Sequence, residues 1–80
     1  MKKLKKSIIQ EIEVGKILEI KIAHGFIKGF GWDCYSESKY KVTELTPYYI
    51  KGINVDYQHE GIMVDQKDID SGYYTIKSIV

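Results

Sequence analysis

From residue 14 onward, apolar and polar positions alternate with a period of two, the signature of half-buried strands. Leu18, Ile20 and Ile22 share one face while Glu19 and Lys21 point the other way, and Ala23-His24-Gly25 reads as a turn. Phe26, Phe30, Trp32 and Cys34 line one side of the next run. Gly29 and Gly31 fall opposite, where glycine marks strong bending or a close backbone approach. Ser36-Glu37-Ser38-Lys39 reads as a hairpin loop and Tyr40 to Leu45 as the returning strand. Thr46-Pro47 breaks the pattern, because proline cannot donate to a ladder. Tyr48 to Val55 follows as a strand, Asp56 to Gly61 as a polar loop, and Ile62-Met63-Val64 as a short strand. Asp65 to Gly72 is turn-like, and Tyr73 to Val80 closes the chain with Tyr74, Ile76 and Ser78 alternating against Thr75, Lys77 and Ile79.

Residues 1–13 fit two patterns. Leu4, Ile8, Ile9 and Ile12 fall on one face at helical spacing, whereas Ile8, Ile12 and Val14 alternate as a strand would. A short N-terminal helix or turn running into a strand is expected. Five or six short strands in so few residues make a small, strongly bent sheet. The expected fold is therefore all-β, a single SH3-like or Sm-like barrel over residues 1–80, with residues 1–7 a basic, mobile end. Closure would also remove the exposed edges of an open sheet.

Residue choice supports the strands. The chain has thirteen Ile, seven Tyr and five Val against one Ala and three Leu, and β-branched and aromatic side chains suit a pleated, half-buried surface. All twelve basic residues are Lys. With no Arg there is no bidentate fork for guanine, phosphate or carboxylate. The preference for Ile, Lys and Tyr also matches the codon bias of an AT-rich genome. The net charge of +1 argues against a dedicated nucleic-acid binder. Lys2, Lys3, Lys5 and Lys6 carry the charge of a signal peptide, but Gln10, Glu11 and Glu13 interrupt the stretch that follows, so a cytoplasmic protein without a membrane span is expected.

Ile20-Lys21-Ile22-Ala23-His24-Gly25 followed by Gly29-Phe30 resembles the first half of an Sm-like motif, with the glycine spacing one residue short. Tyr48-Tyr49-Ile50 and the segment Gly61 to Ile69 resemble the core of WYL domains, an Sm-like module of bacterial regulators. Tyr48 stands where that motif has Trp, and Lys67 stands near its arginine. The two resemblances cover about a third of the chain; they imply the fold and carry no function.

Catalytic chemistry is not expected. His24, His59 and Cys34 have no metal-ligand spacing, and Cys34, the lone cysteine, reads as a buried structural thiol. An EF-hand loop beginning at Asp68 would need Gly and Glu where Tyr73 and Ile79 stand, so Asp65, Asp68 and Asp70 read as caps for turn amides. Gly25, Gly29 and Gly31 lack the spacing of a phosphate loop. No cofactor, metal or catalytic residue is assigned.

The tyrosines are the suggestive feature. In the doublets Tyr48-Tyr49 and Tyr73-Tyr74, alternation puts one ring on each face, so one of each pair lies outside. Such rings either build an interface or simply cover the outer surface. The first functional expectation is a non-enzymatic module for protein–protein recognition, with Trp32, Tyr35, Tyr48, Tyr49, Lys51, Tyr73 and Tyr74 at the interface. Its setting would be a phage or mobile element, as an inhibitor or modulator of a host protein. The alternative is a single-stranded nucleic-acid barrel in which Trp32, Tyr35, Tyr48 and Tyr49 stack bases. Lys28, Lys51, Lys77 and the N-terminal lysines would then track phosphates. Monomer, dimer and ring all remain open.

Overall fold

The computed structural model describes residues 2–27 and 31–80, and of residues 25–27 and 31–33 the backbone alone. Strands β1 (Ile17–Ile27), β2 (Gly31–Leu45), β3 (Tyr49–Asn54), β4 (Gly61–Asp65) and β5 (Tyr74–Ile79) form one antiparallel sheet in the order β4-β3-β2-β1-β5. Two short helices accompany it, α1 (Lys6–Ile9) and α2 (Gln66–Ser71). The all-β architecture is as the alternation predicts. The sheet is not closed into a barrel, however: β4 and β5 are its two edges, and α2 joins them.

Two expected reversals are absent. β1 runs through Ala23-His24-Gly25 to Ile27, and β2 runs through Ser36-Glu37-Ser38-Lys39. The second stretch has no glycine, proline or asparagine to force a turn, and its charges find opposite charges across the ladder. Lys21 faces Glu37 and Glu19 faces Lys39, the cross-strand pairing that stabilises a sheet. Phe26 and Trp32 stand opposite each other in the same ladder. The expected shared face of Phe26, Phe30 and Trp32, and the places expected for Lys28 and Gly29, lie outside the described residues.

Bulges decide which side chains enter the core. In β2, Val42 pairs with Gly52 and Glu44 with Lys51, leaving Thr43 extra. Tyr40 and Val42 are buried, and the bulge brings half-buried Leu45 to the same side. In β5, Ser78 pairs with Glu19 and Ile76 with Ile20, leaving Lys77 extra. Tyr74, Ile76 and Ile79 therefore pack on the core together, and Ser78 is exposed. Strict alternation puts Ile79 with Lys77; the extra residue reverses it.

The inner face carries Leu18, Ile20, Tyr40, Val42, Ile50 and Val64, roofed by Leu4 and Ile12 of the N-terminal segment. Ile8 and Ile9 of α1 and Ile69 of α2 pack around them, so the helical spacing of the first thirteen residues does describe a buried stripe. The N-terminal lysines are exposed, but Leu4 among them is buried, and its N–H donates to the Pro47 carbonyl at 2.8 Å. Gln66, 1% exposed, holds this segment to α2. Its Oε1 accepts the Lys5 N–H at 3.0 Å, and its Nε2 donates to Asp70 at 2.8 Å. Asp65 and Asp68 cap as expected, but they cap a helix, and Asp70 is a partner of Lys2 and Gln66 and not a cap. The Asp65 carboxylate accepts the Asp68 N–H at 2.8 Å in a capping box, and Gly72, with φ of 82°, ends α2 in the left-handed conformation.

Beyond this sheet the first two strands continue as a ribbon. The β1–β5 ladder ends at Ile22 and Tyr74, followed by the Ala23 N–H donating to the Tyr73 carbonyl at 2.9 Å. The β2–β3 ladder begins only at Tyr40. Cys34 lies on the ribbon, opposite His24, and is exposed. The expectation of a buried thiol is overturned: its parity is that of the core face, but the core cluster of the described residues reaches no farther than Ile22 on β1 and Tyr40 on β2. The molecule measures 37 × 29 × 19 Å.

Candidate interaction surface

β3 presents two different faces. Ile50, Gly52 and Asn54 point inward and are buried, while Tyr49, Lys51 and Ile53 point outward. Gly52 faces in because the strands crowd there. A Cβ on it would come within 3.1 Å of the Lys41 carbonyl oxygen and 3.2 Å of Tyr40 Cβ. Asn54 faces in because its Oδ1 accepts the N–H groups of Asp56 and Tyr57, at 2.9 and 3.0 Å, and so builds the β3–β4 turn. With small and polar residues occupying inward places, apolar ones are left outside. Ile53 is 39% exposed, Val55 42% and Met63, opposite Lys51 on β4, 48%.

One end of this stripe is set by the Thr46-Pro47 turn. Thr46 Oγ1 accepts the N–H groups of Tyr48 and Tyr49 at 3.2 and 3.0 Å, leaving Tyr48 exposed. The Tyr49 hydroxyl donates to Glu44 Oε2 at 2.8 Å, which holds its phenol above the ordinary range. Lys51 Nζ lies 3.8 Å from the same carboxylate and 5.6 Å from the Tyr49 ring centroid. Tyr48, Tyr49 and Lys51 thus belong to one neighbourhood.

The remaining expected interface residues lie elsewhere. Tyr73 and Tyr74 pack edge to face with ring centroids 4.6 Å apart, beside Ile22 and Ala23 of β1. Burial, with the neighbouring Tyr73 second, pushes the Tyr74 phenol up to about 12. Tyr35 is exposed on the outer face opposite Ala23, with Lys21 Nζ 4.0 Å above its ring centroid. Tyr35, Tyr73 and Tyr74 therefore gather near Ala23, at the opposite end of β2 from Tyr48 and Tyr49. Trp32 pairs with Phe26 through its backbone, and its side chain lies outside the described residues.

No protein-family model matches this chain, and no curated protein or solved structure matches it significantly. The surface has to speak for itself.

Ile17, Lys41, Ile53, Val55 and Met63 were not legible as surface residues in the alternation. On the outer face, Ile17 of β1 stands opposite Lys41 of β2, which stands opposite Ile53 of β3. Ile17, Lys41, Thr43, Ile53, Val55 and Gln58 line a groove of about 320 Å³. A second hollow of about 410 Å³, bounded by Thr43, Lys51, Ile53 and Met63, continues it toward β4. The signal was present in one place: Gly52 and Asn54 share the parity of Ile50, so Tyr49, Lys51 and Ile53 have to face the other way. Among the described residues, no group of three His, Cys, Asp or Glu side chains is placed to hold a metal ion, and no helix is long and apolar enough to cross a membrane.

Proposed function

We propose that the chain is a non-enzymatic protein-binding module of SH3-like or Sm-like kind, and that its partner docks on the outward stripe of β3. The strand order β4-β3-β2-β1-β5 supports the fold reading, since a five-strand meander curls in that order into such barrels. So do the two bulges that bend β2 and β5 and the helical turn that bridges the edge strands. In this chain α2 connects the edge strands β4 and β5, and among the described residues no β4–β5 ladder closes the sheet. The observation that carries the functional reading is the stripe itself. A small antiparallel sheet normally turns a polar face to water, yet Ile53, Val55 and Met63 lie exposed beside Tyr48, Tyr49 and Lys51. The AT-rich residue choice is what supports placing the module in a phage or mobile element acting on a host protein.

A nucleic-acid reading has one observation in its favour. Lys21, Lys39, Lys41, Lys51 and Lys77 all belong to the outer face, and single-stranded binders combine lysines with stacking rings. Thr43 and Ile53 line the hollows between Lys41 and Lys51, however, and Tyr49, the ring beside Lys51, is tied to Glu44 through its hydroxyl. Affinity purification of a tagged copy from the native host, with and without nuclease, tests both. The module reading expects a stoichiometric protein that survives nuclease and is lost with Ile53→Asp and Met63→Asp in chains whose circular dichroism is unchanged. Retention of the partner by both variants overturns the stripe, and nuclease-sensitive recovery of RNA or DNA overturns the module reading.

A further inference from the structure

Charge and apolar surface interleave on the groove in a pattern that names its occupant. Lys41 sits between two isoleucines, Ile17 on one side and Ile53 on the other, with no carboxylate directly opposite it in either neighbouring strand. The nearby cations differ. Lys51 has Glu44 at 3.8 Å, Lys39 stands opposite Glu19, and Lys77 is bound to Glu37 at 2.7 Å. Lys41 and Lys39 make no ion pair within 4.0 Å among the described residues. Among the described residues, Lys41 thus places one unpaired positive charge at an apolar groove.

We propose, resting on the module reading above, that this groove binds a peptide segment carrying carboxylates next to aliphatic side chains. The carboxylate lies on Lys41, with Lys51 at the second hollow. The aliphatic side chain lies between Ile17, Ile53 and Val55. The two hollows share Thr43 and Ile53, so they form one track running from Gln58 to Met63. An open track on a sheet face suits a length of chain, because a small molecule needs most of its surface enclosed to bind well. The aliphatic floor gives a peptide side chain apolar contact and gives a nucleic-acid base no ring to stack on. Complementary charge would steer the encounter and fix the peptide's direction, with an affinity that falls as salt rises.

The test selects random peptides from a display library on the full chain. The enriched peptides are then measured by fluorescence anisotropy at low and high salt. The expected result is a set rich in Asp or Glu beside Leu, Ile or Val, binding more weakly in high salt. Lys41→Glu should weaken it by about tenfold or more. Ile53→Asp should abolish it, and Lys67→Glu, the same charge change on α2, should leave it unchanged. Equal weakening by Lys67→Glu overturns the proposal in favour of bulk charge. Neutral or basic consensus peptides, or no enrichment at all, also overturn it, as does tighter binding of a single-stranded oligonucleotide that Lys41→Glu abolishes. The peptide proposal and the module reading fail separately: a nuclease-resistant partner lost with Ile53→Asp and Met63→Asp but held equally by wild type and Lys41→Glu removes the acidic peptide and leaves the module standing.

Discussion

Gln66 shows how much a single polar side chain can hold in a domain this small. It is buried between α2 and the N-terminal segment, and both ends of its amide are engaged, by the Lys5 N–H and the Asp70 carboxylate. Gln66→Ala strands the Lys5 N–H and opens a void. The expected loss is about 1–3 kcal/mol, read as a lower urea midpoint. The nearby Lys2–Asp70 ion pair, at 2.6 Å but largely exposed, adds little by comparison. Tyr74 gives a pH signature. Its folded pKa of about 12 lies above the ordinary phenol value of 10.0, so the folded state favours the protonated ring. That contribution is fully present below the unfolded value and is lost as pH rises through the folded one. Urea titrations from neutral pH up to the folded value should show stability falling over the last part of that range, and Tyr74→Phe should fall less steeply. Cys34 offers a third check at this scale. It should react with a thiol reagent in the native protein without denaturant, whereas a protected thiol would contradict its place on the ribbon.

At the scale of elements, the bulges and one glycine matter most. Thr43 and Lys77 are the extra residues that carry Leu45 and Ile79 onto the core face, and nothing in a period-two pattern marks where such a residue falls. That is why alternation placed the start of β5 correctly and misplaced Ile79 at its end. Gly52 marks the crossing of β3 over β2. The atom nearest an added Cβ is backbone, the Lys41 carbonyl oxygen at 3.1 Å, which cannot rotate aside. Gly52→Ala should therefore cost about 1–3 kcal/mol, seen as a shifted denaturation midpoint with an unchanged slope. The expected loops at Ala23-His24-Gly25 and Ser36–Lys39 failed for a different reason. The serines and alternating charges of Ser36–Lys39 are the residues of a solvated ladder, and Gly25 is accommodated within β1.

Across the whole molecule, cooperativity should divide between the five-strand sheet and the ribbon. Residues of β1 and β2 near Leu18, Ile20, Tyr40 and Val42 have a strand on either side or a packed layer beneath. Around His24 and Cys34, among the described residues, each strand has only the other as its ladder neighbour. Hydrogen exchange should accordingly be slowest in the first group, near the global unfolding free energy, and fastest in the ribbon. Uniform protection along both strands would show that the ribbon is covered in solution.

The sequence alone determined the class and the inventory. Ile-, Val- and Tyr-rich alternation specifies strands, and Asp65 and Asp68 before Gly72 specify a capped reversal, whereas Leu4, Ile8, Ile9 and Ile12 fit a helix and a strand alike until packing on the sheet decides. These are local properties, written in neighbours a few residues apart. Tertiary structure alone decided the rest. It divided the tyrosines between the two ends of β2, put Cys34 in solvent, and set Lys41 between Ile17 and Ile53. Register, bulges and the edge of the packed layer depend on which strand lies beside which, and residues far apart in the chain make that choice together.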